Sequence, residues 1–273
     1  MLETVYKLNV GRTLCIALLA DIHARDGREF LQVLKRKKPD IIAIPGDFVH
    51  GKSPQESGIM TRESLVRFQK NVIPLLEECT RIAPTYASLG NHEAFLDAED
   101  CRLIEDTGVV LLDNAFRKTE NFVIGGLTAG HVINYRQYRG VYQKHGGTER
   151  YPIRAKKEKP KWFDVEDKWL DEFEKQEDLK ILLSHHPEYW SLRRPYLSHK
   201  QINLVLSGHA HGGQIRFFNQ GLYAPGQGWF PRYTRGIFSS DNGYMIVSAG
   251  LSNTAAPIPR LNNPQEVVFI ELR

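Results

Sequence analysis

The sequence predicts an α/β layered sandwich with two sheets, and three observations carry that reading. Short apolar runs bounded by polar or turn residues recur along the chain, as expected of strands buried on both faces. Helix-periodic stretches separate these runs in the first half and become scarce in the second, so strand–helix alternation gives way to strand after strand. No internal repeat or low-complexity tract splits the chain, which argues for a single domain over residues 1–273.

The first two strands are expected at residues 14–20 and 40–45. Between them, residues 29–36 set Phe30, Leu31, Val33 and Leu34 at helical spacing, and the cluster Lys35, Arg36, Lys37, Lys38, Pro39 ends that helix. Cations favour the C-terminal end of the helix dipole. Residues 61–78 read as a helix with a break near Pro74, because proline removes an N–H and clashes with the preceding turn. A strand at 84–89, a helix at 96–105 and a strand at 109–112 follow. Further strands are expected at 121–128, 179–184, 201–206, 214–218, 243–247 and 267–272, with one more helix at 164–173.

The balance of 36 Lys and Arg against 32 Asp and Glu, with 41% hydrophobic and 25% charged residues, is that of an ordinary globular protein. A net charge of +4 is too small to mark a nucleic-acid binder, whose basic residues usually form a stripe. The longest early apolar run, 14–20, falls far short of the roughly 20 residues that a membrane span needs. It has no basic n-region or cleavage site, so neither a spanning helix nor a secretory signal is expected. Cys15, Cys79 and Cys101 are odd in number and lack C-x-x-C spacing, which suggests neither a disulfide framework nor a thiolate zinc site. The expected location is cytoplasmic, with peripheral membrane association compatible with that.

One stretch is unusual. Residues 131–161 carry nine Lys and Arg against Glu149 and Glu158, with Tyr135, Tyr138, Tyr142 and Tyr151 interleaved. The acidic segment 164–178 follows, so the plain reading is an exposed loop whose charges pair off locally. The sharper reading is a loop that covers a site and helps to recognise an anionic substrate.

Five segments place metal-capable side chains where an expected strand gives way to a loop: Asp21-Ile22-His23, Gly46-Asp47, Gly90-Asn91-His92-Glu93, Ser184-His185-His186 and Gly208-His209-Ala210-His211. Ligands two residues apart on an extended backbone point to the same side, so the first and last segments are each expected to grip a metal from one direction. Sites in α/β sheets form beyond the carboxyl ends of strands, where all five segments stand. Carboxylates, imidazoles and an amide oxygen without a thiolate suit Mn, Fe, Zn or Mg.

Taken in order, the five segments resemble the motifs D-x-H, G-D, G-N-H-[DE], H and G-H-x-H of the calcineurin-like metallophosphoesterase superfamily. The tail, with Gly208 to Gln214, Gly221 to Gly228 and Pro257 to Asn263, resembles the YkuE/YaeI-like phosphodiesterase branch. The resemblance implies a layered α-β-β-α sandwich of two mixed sheets flanked by helices and a binuclear metal-dependent phosphohydrolase. It implies one divalent ion held by Asp21, His23, Asp47 and His211, another by Asp47, Asn91, His185 and His209, and Asp47 bridging them. Such an enzyme attacks a phosphodiester or pyrophosphate linkage with a hydroxide shared between the two ions. His92 resembles the non-ligand histidine that donates a proton to the leaving oxygen.

Phosphoprotein phosphatases continue G-D-x-x-D-R-G, whereas here the segment reads Gly46-Asp47-Phe48-Val49-His50-Gly51. That argues against a phosphoprotein substrate and leaves Glu93, His50 or a residue not evident from spacing as the partner of His92. His186 follows the ligand candidate His185, and adjacent strand residues point to opposite faces, so His186 is expected to face away from the metals. His131, His145 and His199 stand outside any motif and read as surface or packed residues. Tyr223, Arg232, Arg235 and Arg260 lie in the branch-like tail and are candidates for substrate contact, arginine being suited to phosphate. The substrate classes left open are a nucleotide-linked or lipid-linked diphosphate, a nucleotide phosphodiester and a cell-envelope metabolite. A nuclease using the basic, tyrosine-rich segment as a track is one rival. A scaffold that has lost turnover is another, disfavoured because the motif residues are all present.

Overall fold

The computed structural model of the protein describes residues 1–50, 66–96, 98–129, 168–252 and 259–273, and the backbone of a hairpin at 142–145 and 149–152. In chain order the first half contains β1 (Leu2–Leu8), β2 (Leu14–Leu18), α1 (Arg28–Lys37), β3 (Ile41–Ile44), α2 (Ile73–Ile82), β4 (Thr85–Ala87), α3 (Ala98–Asp106), β5 (Val110–Leu111), β6 (Ala115–Lys118) and β7 (Val123–Leu127). The hairpin β8 (Tyr142–His145) and β9 (Glu149–Pro152) follows, then α4 (Lys168–Glu174), β10 (Lys180–Ser184) and β11 (Leu204–Ser207). Two small hairpins, β12 (Arg216–Phe217) with β13 (Gln220–Gly221) and β14 (Tyr223–Ala224) with β15 (Gly228–Trp229), precede β16 (Gly236–Ser240), β17 (Gly243–Val247) and β18 (Glu266–Leu272).

Two six-stranded mixed sheets result, in the orders β1-β18-β2-β3-β4-β5 and β16-β17-β11-β10-β7-β6. Their strands alternate between two apolar layers. In β2, Ile16 and Leu18 enter the layer between the sheets with Ile181, Leu183, Leu204 and Ile246. Ala17 of β2 and the following Leu19 face the helices with Phe30, Leu34 and Leu76. On the far side of the second sheet, Leu182, Val205 and Met245 pack against Leu170 and Phe173 of α4 and against Trp190. The order of layers is therefore α-β-β-α, and because both faces of the inner strands are buried, those strands read as unbroken apolar runs.

The strands that escape a pattern reading are edge strands. β1, β6 and β16 carry alternating or mostly exposed residues, and an edge strand with solvent on one face has no apolar run to betray it. The strand expected at 214–218 shortens to Arg216–Phe217, because Gln214 and Phe218 on either side adopt left-handed φ of 57° and 53°. Pro74 does not break its helix. A π-helical turn at Phe68–Val72 runs straight into α2, which Pro74 enters at its second residue, so the irregularity before the proline is a widened turn and not a break. Residues 61–65 of that expected helix and 164–167 of the one at α4 lie outside the described residues, as do the side chains of 131–161. Among the described residues no helix is long and apolar enough to cross a membrane.

β7 contains consecutive glycines, Gly125 and Gly126. A Cβ on Gly126 would lie 2.3 Å from the carbonyl oxygen of Leu112, a backbone atom just past β5 that has nowhere to go. Glycine inside a strand marks such a close backbone approach. Gly126→Ala is expected to lower stability by about 2 kcal/mol through this overpacking, seen as a lower urea midpoint with an unchanged slope; an unchanged midpoint would show that the two segments can part.

Candidate metal centre

The parallel strands of both sheets deliver their carboxyl ends to one rim. β2 ends at Leu18, three residues before Asp21; β3 ends at Ile44, before Asp47; β4 at Ala87, before Asn91; β10 at Ser184, before His185; and β11 at Ser207, before His209 and His211. All six of these polar side chains lie in buried residues, where a polar group without a partner is costly.

The pairs Asp21/His23 and His209/His211 do not converge by strand alternation. Asp21, His23, Asp47, His209 and His211 have φ of 51°, 48°, 54°, 66° and 45°, so the backbone at each is left-handed rather than extended. For a residue with a Cβ this costs roughly 1 kcal/mol or more, and such conformations persist only where surrounding contacts impose them. Those contacts are present. The N–H of His23 donates to the carbonyl of Asp47 at 2.9 Å and that of Ala24 to the carbonyl of Phe48 at 2.9 Å. The N–H of His209 donates to Asp21 Oδ1 at 3.0 Å, joining the rims of the two sheets.

Asp47 is the focus. Its Oδ2 lies 2.9 Å from His185 Nε2, 3.8 Å from His92 Nε2 and 3.9 Å from His23 Nε2. Asp21, His23 and His211 form one group whose donor atoms lie within 4.8 Å of one another, and Asp47, His185 and His209 form another. The tight approach of Gly46 to Gly90, where a Cβ on Gly46 would sit 2.4 Å from the Gly90 nitrogen, brings the Asn91 loop against Asp47. Asn91 Oδ1, Asp21 Oδ2 and both ring nitrogens of His23 are buried with no hydrogen-bond partner among the described residues.

Burial, then the neighbouring His92, pushes His23 well below the ordinary imidazole pKa. Burial likewise depresses His209, with His186 and His185 adding to it, and takes His211 down to about 4. These rings are held neutral, the form that ligates a cation. Burial also opposes the charged form of His185, but Asp47 overrides it and lifts that ring to about 9. Burial opposes ionisation of Asp47 too, yet His185 and His92 hold its carboxyl well below the ordinary range. Orphaned buried donors, neutral imidazoles and a central carboxylate fit divalent cations of the Mn, Fe, Zn or Mg kind.

Four further residues join the site. His50 stacks 6.1 Å from the His92 ring and meets His23 edge-on at 5.7 Å, standing where the G-D-x-x-D motif would supply its second aspartate. Glu93 accepts the N–H groups of Asp47 at 2.7 Å, Val49 at 2.9 Å and Gly90 at 2.7 Å. Burial followed by the charge of Asp47 raises its carboxyl to about 8. Glu93 therefore staples two loops. His186 does not face away as strand alternation would have it, since β10 has already ended at Ser184. Its ring lies 4.1 Å from that of His209, and His186, Glu188 and His209 form another compact group. The neutral sequence pattern gave no cue to Glu188, which no motif contains.

The tail candidates divide. Arg260 Nη2 comes within 3.4 Å of His211 Nδ1, and its Nε and Nη1 are buried without a hydrogen-bond partner among the described residues. Arg235 is held 2.7 Å from buried Glu266, Arg232 lies over the Tyr233 ring, and Tyr223 meets Trp229 on its hairpin. Only Arg260 is brought against a ligand candidate by these contacts.

The family described as calcineurin-like phosphoesterase matches residues 15–213. A protein of Aquifex aeolicus described as an uncharacterized metallophosphoesterase is 26% identical over 290 aligned positions, covering 98% of this chain and 88% of that protein. The metallophosphoesterase YkuE of Bacillus subtilis is 36% identical over 90 residues, 33% of this chain and 29% of its own. A crystal structure of a dimetal phosphatase from Danio rerio is similar over 87% of each chain, with a TM-score of 0.48 and 13% identity.

Glu93→Ala leaves three N–H groups without their acceptor, and each buried donor so orphaned costs about 1–3 kcal/mol. A loss of at least about 3 kcal/mol in urea unfolding is expected, with metal content falling as the Asp47 and Asn91 loops separate. A variant as stable as the parent would show that Glu93 is no staple.

Proposed function

The chain belongs to the calcineurin-like phosphoesterase family, and on that premise we propose that it is a binuclear metal-dependent hydrolase of a phosphodiester or pyrophosphate linkage. The observation that carries the reading is the position of Asp47, whose one carboxylate oxygen lies within 4 Å of three imidazoles, while His211 and His209 belong to two separate compact groups. In this reading Asp21, His23, Asp47 and His211 hold one divalent ion, and Asp47, Asn91, His185 and His209 hold the other. Two such ions supply Lewis acidity and neutralise the charge that develops on phosphoryl oxygens during in-line displacement.

The chain's own residues supply the rest. His92 follows a ligand candidate, and its ring forms a further compact group with His23 and His50; its backbone N–H donates to Asp47 Oδ1 at 2.9 Å, and its side chain keeps 15% exposure. An imidazole there can hold a proton against the leaving oxygen. Arg260 Nε and Nη1 have no hydrogen-bond acceptor among the described residues, and a guanidinium is suited to receive a phosphoryl oxygen. The reading as a diesterase or pyrophosphatase is supported by the segment Gly46 to Gly51, which lacks the Asp and Arg of phosphoprotein phosphatases. The decisive experiment is metal analysis of the purified protein with a screen of phosphodiesters, pyrophosphates and phosphomonoesters. Turnover confined to monoesters would overturn the linkage, and a metal-free, inactive protein would overturn the whole reading.

Three variants test the roles. Asp47→Asn is expected to abolish hydrolysis and lower metal content at both positions, because it removes the shared carboxylate; full occupancy with activity would sink the bridging role. His92→Ala should keep both metals and lose about 10² to 10⁴-fold in turnover on poor leaving groups, with nitrophenyl esters suffering less. Loss of metal instead would make His92 a ligand. Arg260→Gln should lower kcat/KM at least about tenfold, consistent with losing a charge-assisted hydrogen bond, with metal content unchanged.

A further inference from the structure

Two adjacent hairpins beside the metal centre expose aromatic rings to solvent. Phe217 and Phe218 on the β12–β13 hairpin are 58% and 103% exposed, and Trp229 and Phe230 at the end of the β14–β15 hairpin are 64% and 70% exposed. The hairpins are fixed side by side. Gln220 Nε2 donates to the carbonyl of Pro231 at 3.0 Å, and the N–H of Phe230 donates to that of Leu222 at 2.8 Å. Exposed Leu261 extends the patch, since the N–H of Arg216 donates to its carbonyl at 2.9 Å.

Turn chemistry does not explain these rings. Phe218 opens a two-residue turn with φ of 53°, and Phe230 has φ of 54°, positions that favour glycine or asparagine. Packing does not explain Phe218 either, because its ring gains no burial for the strain. A large apolar side chain held in a strained turn and presented to water points to an external apolar partner.

The charge around the hairpins identifies the partner. From Tyr189 to Ser240 the chain has no Asp or Glu and six Lys or Arg; Lys200 pairs with Asp171 and Glu174, Arg235 pairs with Glu266, and Arg216 is buried. Of the others, Arg194 and Arg232 are exposed, and Arg193 Nη2 donates to the carbonyl of Gly226 on the second hairpin at 2.9 Å. Protruding aromatic tips flanked by arginines match the interface of an anionic bilayer, where rings settle at headgroup depth and cations meet lipid phosphates. A second copy of the chain would bring two positive faces together.

We propose that the β12–β13 and β14–β15 hairpins form a docking surface for anionic lipid bilayers. The surface adjoins the turn that carries His211, so docking sets the metal centre close to the lipid headgroups.

The test uses the full chain and reads binding without turnover, so its outcome is separable from that of the proposed hydrolysis. In sedimentation with vesicles of phosphatidylcholine and phosphatidylglycerol at three to one, the protein should partition at least tenfold more strongly than onto phosphatidylcholine alone, and less so in high salt. Brominated lipid should quench Trp229, a signal that Trp229→Phe removes. The double substitution Phe218→Ser with Phe230→Ser should weaken partitioning at least tenfold while leaving the urea midpoint in place. Equal binding to both vesicle types, or absence of bromolipid quenching in the unmodified protein, overturns the proposal. So does a concentration-dependent dimer in sedimentation velocity that the double substitution abolishes, which would assign the face to a second copy.

Discussion

The site depends on one buried residue. Each polar group of Asp47 is engaged by a different part of the rim: its N–H by Glu93, its carbonyl by the N–H of His23, Oδ1 by the N–H of His92, and Oδ2 by His185. A carboxylate so enclosed is stable only if its charge is answered from several sides. The imidazoles that answer it come from loops far apart in sequence. Moving Asp47 therefore moves the β2, β4 and β10 loops with it.

Backbone strain at the rim has the same origin. Left-handed φ at Asp21, His23, Asp47, His209 and His211 is tolerated because each lies directly beyond a buried strand whose position the apolar layers hold. The rigid sandwich supplies the restraint, and the loops use it to turn side chains inward at short range. Arg216 carries that restraint outward. It donates to the carbonyls of Gly212 and Asn219 and to Thr234, tying the exposed β12–β13 hairpin to the turn that bears His211. Contact made at the hairpin tips is thereby mechanically linked to the metal loops.

Much of this architecture was legible before any coordinates. The inner strands are short apolar runs because both faces are buried, and α1 declares itself through Phe30, Val33 and Leu34 and its basic final turn. The five motif segments stood at strand ends, where a parallel sheet concentrates loops. Edge strands β1, β6 and β16 were not legible, since half-solvated residues carry no distinctive run. The alternation argument for His186 failed because it assumed a strand that had ended one residue before His185.

The amino-acid sequence by itself determined which segments are inner strands of the core and which metal-capable side chains stand at their ends, because motif spacing and apolar periodicity are local properties. Only the tertiary structure decided how those side chains meet. The His209 N–H reaches Asp21 across 188 residues, and Glu93 reaches Asp47 across 46. Such contacts are set by the order of strands in two facing sheets, and the left-handed turns that aim these side chains exist only because those contacts hold them. His50, His186 and Glu188 entered the site, and the aromatic hairpins were left outside the core, for that same reason: position in a packed rim follows from long-range pairing, which no local pattern encodes.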